Sequence, residues 1–110
     1  MTLNEYQWSA HATSKSTAIG GDVLLYPVMG LAGEVGELLN KVKKIYRDSG
    51  GIITDDILLM LRLELGGILW YLAETSTVLG IDLSDVAEAN LMQLADRADR
   101  GVIGGSGDER

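Results

Sequence analysis

Cysteine and phenylalanine are absent from this chain, and proline and histidine occur once each, as Pro27 and His11. Without cysteine there is no disulfide framework and no thiolate metal site, which fits a reducing compartment. A lone histidine gives almost no support to His-based metal sites or to Ser–His and Cys–His nucleophilic pairs. It also counts against a di-iron carboxylate bundle, which requires Glu-x-x-His pairs. His11 is expected as a solvated helix residue. Basic residues are scarce: 9 Lys and Arg stand against 16 Asp and Glu, for a net charge of −7. A nucleic-acid polymer is not an expected partner, because tracking its backbone needs a basic face. Phosphates remain accessible where metal ions or a few local lysines supply positive charge. The segment Met1 to Glu5 lacks the basic and apolar regions of a signal peptide. With no membrane span expected, the chain reads as cytoplasmic.

What is present is one small domain of 110 residues, 46% of them hydrophobic. A chain of this size buries only a thin core, so subunit association is expected. Thr2 is placed to cap a first helix from Leu3 to roughly Lys15, followed by a connection over Ser16 to Asp22. Pro27 suits the first turn of a second helix, where its missing N–H costs nothing. That helix is expected to run to Arg47 and to stop at Asp48-Ser49-Gly50-Gly51. Thr54 is an N-cap for a third helix, with Asp55 and Asp56 favourably placed in its first turn. This helix should reach Leu79 and end at Gly80. Ser84 is expected to cap a fourth helix, Asp85 to about Arg100, closed by Gly101. The remainder, from about residue 101 to 110, is too glycine-rich to be regular. No segment alternates as a strand does, and the fold class is all-α.

At about 100° per residue, Leu31, Val35, Leu38, Leu39, Val42 and Ile45 fall on one apolar stripe of the second helix. Glu34 lies on its border, and Glu37 about 60° to the other side. Two carboxylates one turn apart can reach one object at the edge of the core. Lys41 projects between them and Lys44 just beyond Glu37. An ordinary Glu37–Lys41 surface pair accounts for part of this pattern but leaves Glu34 unexplained. The third helix, from Ile57 to Ala73, is apolar almost all round, charged only at Arg62 and Glu64. It reads as a buried core helix. A buried carboxylate must be protonated, paired or metal-bound. Either a buried Glu64–Lys or Glu64–Arg pair satisfies Glu64, or a hard divalent ion bridges Glu34, Glu37 and Glu64. Where only oxygen ligands are at hand, Mg²⁺ or Mn²⁺ is the natural ion.

These residues carry a family resemblance. Gly33-Glu34-Val35-Gly36-Glu37 and Glu64-Leu65-Gly66-Gly67-Ile68-Leu69-Trp70-Tyr71-Leu72-Ala73 resemble the MazG-type all-α nucleotide pyrophosphohydrolases. So do Val86-Ala87-Glu88-Ala89-Asn90-Leu91 and the Gly-Gly-Ser-Gly-Asp close, and the likeness extends from about Tyr26 to Arg110. It implies a four-helix bundle completed by homo-oligomerisation, as a dimer or tetramer, and hydrolysis of an NTP or dNTP to monophosphate and pyrophosphate with Mg²⁺ or Mn²⁺. It assigns Glu34, Glu37 and Glu64 to the metal, and Tyr71 and Asn90 to the nucleotide. Helix geometry adds Lys41 and Lys44 as phosphate contacts. Glu37, with Glu34, is the candidate for deprotonating the attacking water.

The chain departs from the family pattern at one place. The second motif of the family is Glu-x-x-Asp, and its fourth position here is Gly67. Three readings follow: an inactivated variant, an active enzyme with another ligand or one metal fewer, and a glycine that lets helices approach. The first keeps open a non-catalytic module that binds nucleotide or protein. Trp8, Trp70 and Tyr71 are candidates for stacking on a base or for core packing. Arg97 and Arg100 either reach phosphates or form a solvated face. The glycine-rich close is either a frayed tail or a segment folding over the site.

Overall fold

The computed structural model describes residues 1–110, and the chemistry of the residues at each helix end explains most of its boundaries. Thr2 opens α1 (Leu3–His11) with a reciprocal capping box: its hydroxyl accepts from the Glu5 N–H, and the Glu5 carboxylate accepts from the Thr2 N–H. The helix stops four residues short of Lys15. The Thr13 and Ser14 N–H groups bond three residues back, to Ala10 and His11, and the Thr13 hydroxyl donates to the Ala10 carbonyl at 2.7 Å. Such tightened bonding ends a helix. Gly20 and Gly21, at φ +60° and +82°, then turn the chain between Ile19 and Asp22.

Helix α2 (Leu25–Ser49) starts two residues before the buried Pro27, which lies in its first turn. It runs past Arg47 and closes where Gly50 adopts left-handed φ 59° and returns its N–H to the Ile45 carbonyl. Helix α3 (Asp55–Val78) is capped by the Thr54 hydroxyl, which accepts from the Ile57 N–H at 3.3 Å. Gly80, at φ +71°, turns the chain away one residue after Leu79.

Helix α4 (Leu83–Asp99) corrects the expectation at its start. Ser84 lies inside the helix, and the preceding Asp82 makes no side-chain capping bond. The cap comes from α1. Gln7 Oε1 accepts from the Leu83 N–H at 2.7 Å, and Asn4 Oδ1 from the Ser84 N–H at 2.9 Å. The Gln7 amide nitrogen donates to the Ile81 carbonyl at 2.9 Å and the Thr77 hydroxyl at 3.2 Å. A glutamine that is only 8% exposed thus ties α1 to the α3–α4 turn with its whole donor and acceptor set.

Helices α2 and α3 form an antiparallel hairpin, α1 lies on α3, and α4 packs on α1 and α3 without approaching α2. The core is small. Ala10, Ala73 and Leu83 form its centre, with Tyr6 and Trp70 against it, and no large side chain is fully buried. The Trp70 indole donates to the Thr13 hydroxyl at 2.8 Å, which makes it a packing residue. The expectation that α3 is buried does not hold within one chain: Leu58, Leu59, Leu63 and Leu65 are all more than half exposed. Only one side of α3 faces α2 and α1. The C-terminal segment folds back on α4, where the buried Arg97 donates to the Asp108 carbonyl at 2.9 Å and Arg100 to the Arg110 carbonyl at 2.7 Å. None of these bonds goes to α2 or α3.

Gln7→Ala removes an interhelical cap and leaves the Leu83 N–H and Ile81 carbonyl without partners. A loss of about 2–3 kcal/mol is expected, against under about 1 kcal/mol for Asn4→Ala at its exposed position. Chemical denaturation at fixed protein concentration measures both.

Candidate metal centre

The α2–α3 hairpin places its candidate site residues through two glycines. Gly30 of α2 lies directly beneath the Tyr71 ring of α3, so a Cβ there would overlap the ring. One turn further along each helix the roles reverse, and Gly67 of α3 lies beneath the Glu34 carboxylate of α2. A Cβ at Gly67 would stand 2.6 Å from Glu34 Oε2 and 2.9 Å from its Cδ. Each helix thus presents a socket to a side chain of the other. Of the three readings of Gly67, close helix approach is the one that this geometry supports directly.

In this register Glu34, Glu37 and Glu64 offer one carboxylate oxygen each, all within 4.8 Å of one another. Glu34 and Glu64 are half-buried and Glu37 is exposed, so the cluster opens to solvent on the Glu37 side. The Lys41 ammonium forms an ion pair with Glu64, whose side chain is only 12% exposed. The buried Glu64–Lys pair and the carboxylate cluster are therefore both present. The Glu37–Lys41 surface pair is not formed, because Lys41 turns toward Glu64.

Tyr71 borders the same site. Burial is the main cause that pushes its phenol above the ordinary tyrosine value; the Tyr26 hydroxyl, and then the negative charges of Glu34 and Glu37, push the same way. Tyr71 therefore stays protonated at neutral pH and is available as a donor. Tyr26, which sequence reasoning did not single out, packs with it at a ring separation of 6.2 Å, and Trp70 meets it edge-on at 4.9 Å. Lys44 is exposed on α2, where its charge helps hold Asp48 below the usual carboxylate range, after the larger effect of the hydrogen bond from Arg47. Asn90 is exposed on α4, and because α4 does not approach α2, one chain does not bring Asn90 to Glu34 and Glu37. Trp8 is 82% exposed. Arg97 is neither a solvated residue nor free for phosphate, since it anchors the tail; Arg100 pairs with Asp96.

A second carboxylate was missed. Glu74, one turn beyond Trp70 and Tyr71, is 3% exposed, and its partner is His11 Nδ1 at 3.0 Å. His11 is an exposed helix residue, as expected, but one ring nitrogen is committed to Glu74 on α3. The polar run Glu74-Thr75-Ser76-Thr77, which ends the apolar stretch of α3, was the available signal that something polar packs there.

With this geometry in place, the comparisons with known proteins decide the family. The family model described as "MazG nucleotide pyrophosphohydrolase domain" matches residues 24–102. The chain belongs to the MazG family. It is also similar to the "Gene 37 protein" of Mycobacterium phage L5, 45% identical over 114 residues and covering 100% of both chains. No solved structure matches it. MazG proteins are divalent-metal-dependent nucleotide pyrophosphohydrolases, and the matched segment contains Glu34, Glu37 and Glu64.

The two sockets are expected to differ in tolerance. Gly30→Ala drives a methyl group into an aromatic ring held on two sides and should cost about 2–3 kcal/mol. Gly67→Ala meets only the movable end of Glu34, and the better helix propensity of alanine offsets the displacement, so its stability should stay within about 1 kcal/mol. His11→Ala strips the partner from a buried carboxylate and should cost about 1–3 kcal/mol. Urea denaturation curves of the three variants test this ordering.

Proposed function

We propose that the protein hydrolyses a nucleoside or deoxynucleoside triphosphate to the monophosphate and pyrophosphate, using Mg²⁺ or Mn²⁺. The observation that carries this reading is the convergence of Glu34, Glu37 and Glu64 from two helices onto one spot, in a chain of the MazG family. The donor set suits such an ion: the groups that could coordinate it are hard carboxylate oxygens, as Mg²⁺ and Mn²⁺ prefer. Glu34, Glu37 and Glu64 are the residues that would hold it. When bound, a divalent ion lowers the pKa of water and offsets charge on phosphate oxygens.

The chain's own residues supply the rest. Glu37, at the open side of the cluster with Glu34 behind it, accepts the proton of the water that attacks phosphorus. The linkage between the α- and β-phosphates breaks, and the electron pair leaves with pyrophosphate. Lys41 and Lys44, on the same helix, meet phosphate oxygens with positive charge. Tyr71 donates to the substrate from its protonated phenol. Asn90 reaches the nucleotide from a neighbouring protomer. Pyrophosphate release from a panel of NTPs and dNTPs is the decisive assay. It is expected to require Mg²⁺ or Mn²⁺, to vanish with chelator, and to fall by about a hundredfold or more in Glu64→Gln.

Gly67, where the family has a carboxylate, favours a second reading, a non-catalytic module that binds nucleotide or a protein. Nucleotide binding with no pyrophosphate released from any member of the panel would select it.

Both readings include self-association. Met29 and Leu39 on α2, Leu59 and Leu63 on α3, and Leu91 and Met92 on α4 are all more than half exposed. Monomers rarely leave so much apolar surface in water, and a core this thin gains from burying it. Helices of a second copy complete the bundle. No helix is long and apolar enough to cross a membrane, so these faces are not spans. Sedimentation at micromolar concentration should give a dimer or tetramer; a stable monomer would overturn this architecture.

A further inference from the structure

The carboxylate cluster departs from the family's Glu-x-x-Asp pattern, and two features of the structure bear on how many ions it can take. Resting on the reading of Glu34, Glu37 and Glu64 as metal ligands, we propose that the centre holds a single divalent cation per chain, with the Lys41 ammonium in place of a second.

Charge is the first argument. The carboxylates of Glu34, Glu37 and Glu64 bring three negative charges, and Lys41, ion-paired with Glu64, returns one positive charge. The two negative charges that remain match one divalent cation. A second divalent ion would leave the site as positive as it is now negative. It would also have to share Glu64 with an ammonium already in contact with it. Like charges a few ångströms apart repel strongly in a half-buried site.

Space and ligand number give the second argument, independent of charge. A fourth oxygen ligand on the Glu64 face of α3 would come from the position one turn later, which is Gly67. That position has no side chain, and the volume next to it is filled by the Glu34 carboxylate, 2.6 Å from where a Cβ would stand. The Glu34 carboxylate occupies the place that a side chain at position 67 would take. Paired ions about 3.5–4 Å apart need bridging and terminal oxygens on both sides. Three carboxylates, one of them engaged by a lysine, are enough for one ion completed by water.

The absence of a carboxylate at position 67 and the ammonium at Glu64 both lower the negative charge of the site, in step with one ion fewer. Lys41 provides fixed charge with no coordination demands and is a positioning residue for Glu64. It remains close enough to the cluster to face a phosphate as well.

The test is Mn²⁺ binding to the full chain, counted by electron paramagnetic resonance of free ion and by calorimetry. Wild type is expected to bind one Mn²⁺ per chain. Lys41→Gln should still bind one, tighter by roughly tenfold or more, because a repelling charge has gone. Lys41→Gln combined with Gly67→Asp should bind two. Two ions in wild type, weaker binding in Lys41→Gln, or a folded double variant that stays at one would each overturn the proposal. If the double variant does not fold, the wild-type count and the Lys41→Gln affinity decide. No binding in wild type would instead overturn the ligand assignment on which the proposal rests.

Discussion

The close approach of α2 and α3 is the constraint on which the rest of the molecule depends. Glutamates on separate helices can share an ion only if the backbones are near enough for short side chains to span the gap. Gly30 and Gly67 permit this by yielding space to Tyr71 and Glu34 respectively. Because the helices are antiparallel, the two sockets lie one turn apart and fix the register between them. Glu37 and Glu64 then fall opposite each other at the next turn, and Lys41 reaches Glu64 from the turn after. A glycine inside a helix costs about 1 kcal/mol in propensity. Here that cost is offset by contacts that a larger residue would prevent.

The remaining helices are held less by apolar packing than by buried polar ties. Gln7 links α1 to the α3–α4 turn and caps α4, while His11 pairs with Glu74 on α3. These bonds are directional, so they define how α1 sits even though the core beneath it is mostly alanine. The consequence is uneven cohesion. The hairpin and α1 form one body, whereas α4 leaves α2 uncovered. The leucines of α3 and α4 stay exposed within one chain, and Asn90 lies on a helix that does not meet α2.

Electrostatics at the site follow from this arrangement. The cluster is half-buried on the Glu34 and Glu64 side and open to solvent at Glu37. Tyr71, raised by its burial and its acidic neighbours, stays neutral beside carboxylates that would repel an anion. In a chain with a net charge of −7, Lys41 is the cation that the fold brings to the cluster.

The sequence by itself determined what depends on near neighbours along the chain. Helix starts at Leu3 and Asp55 follow from Thr2 and Thr54, because a hydroxyl caps an N–H only two or three residues away. The stop after Ser49 follows from Gly50, whose left-handed backbone is a local property. The grouping of Glu34 with Glu37 follows from the helical repeat, and the need of Glu64 for a cationic partner or an ion from the cost of burying a lone carboxylate. Only the tertiary structure decided what depends on another segment. The start of α4 was misread at Ser84 because its caps, Gln7 and Asn4, come from the far end of the chain. The pairing of His11 with Glu74 was missed because the two are distant in sequence, and α3 read as buried because hydropathy does not say whether the same chain or another covers a face. Whether Lys41 would take Glu37 or Glu64, and that Gly67 seats the Glu34 carboxylate, turned on the spacing between two helices. That spacing is set by packing, and no local pattern encodes it.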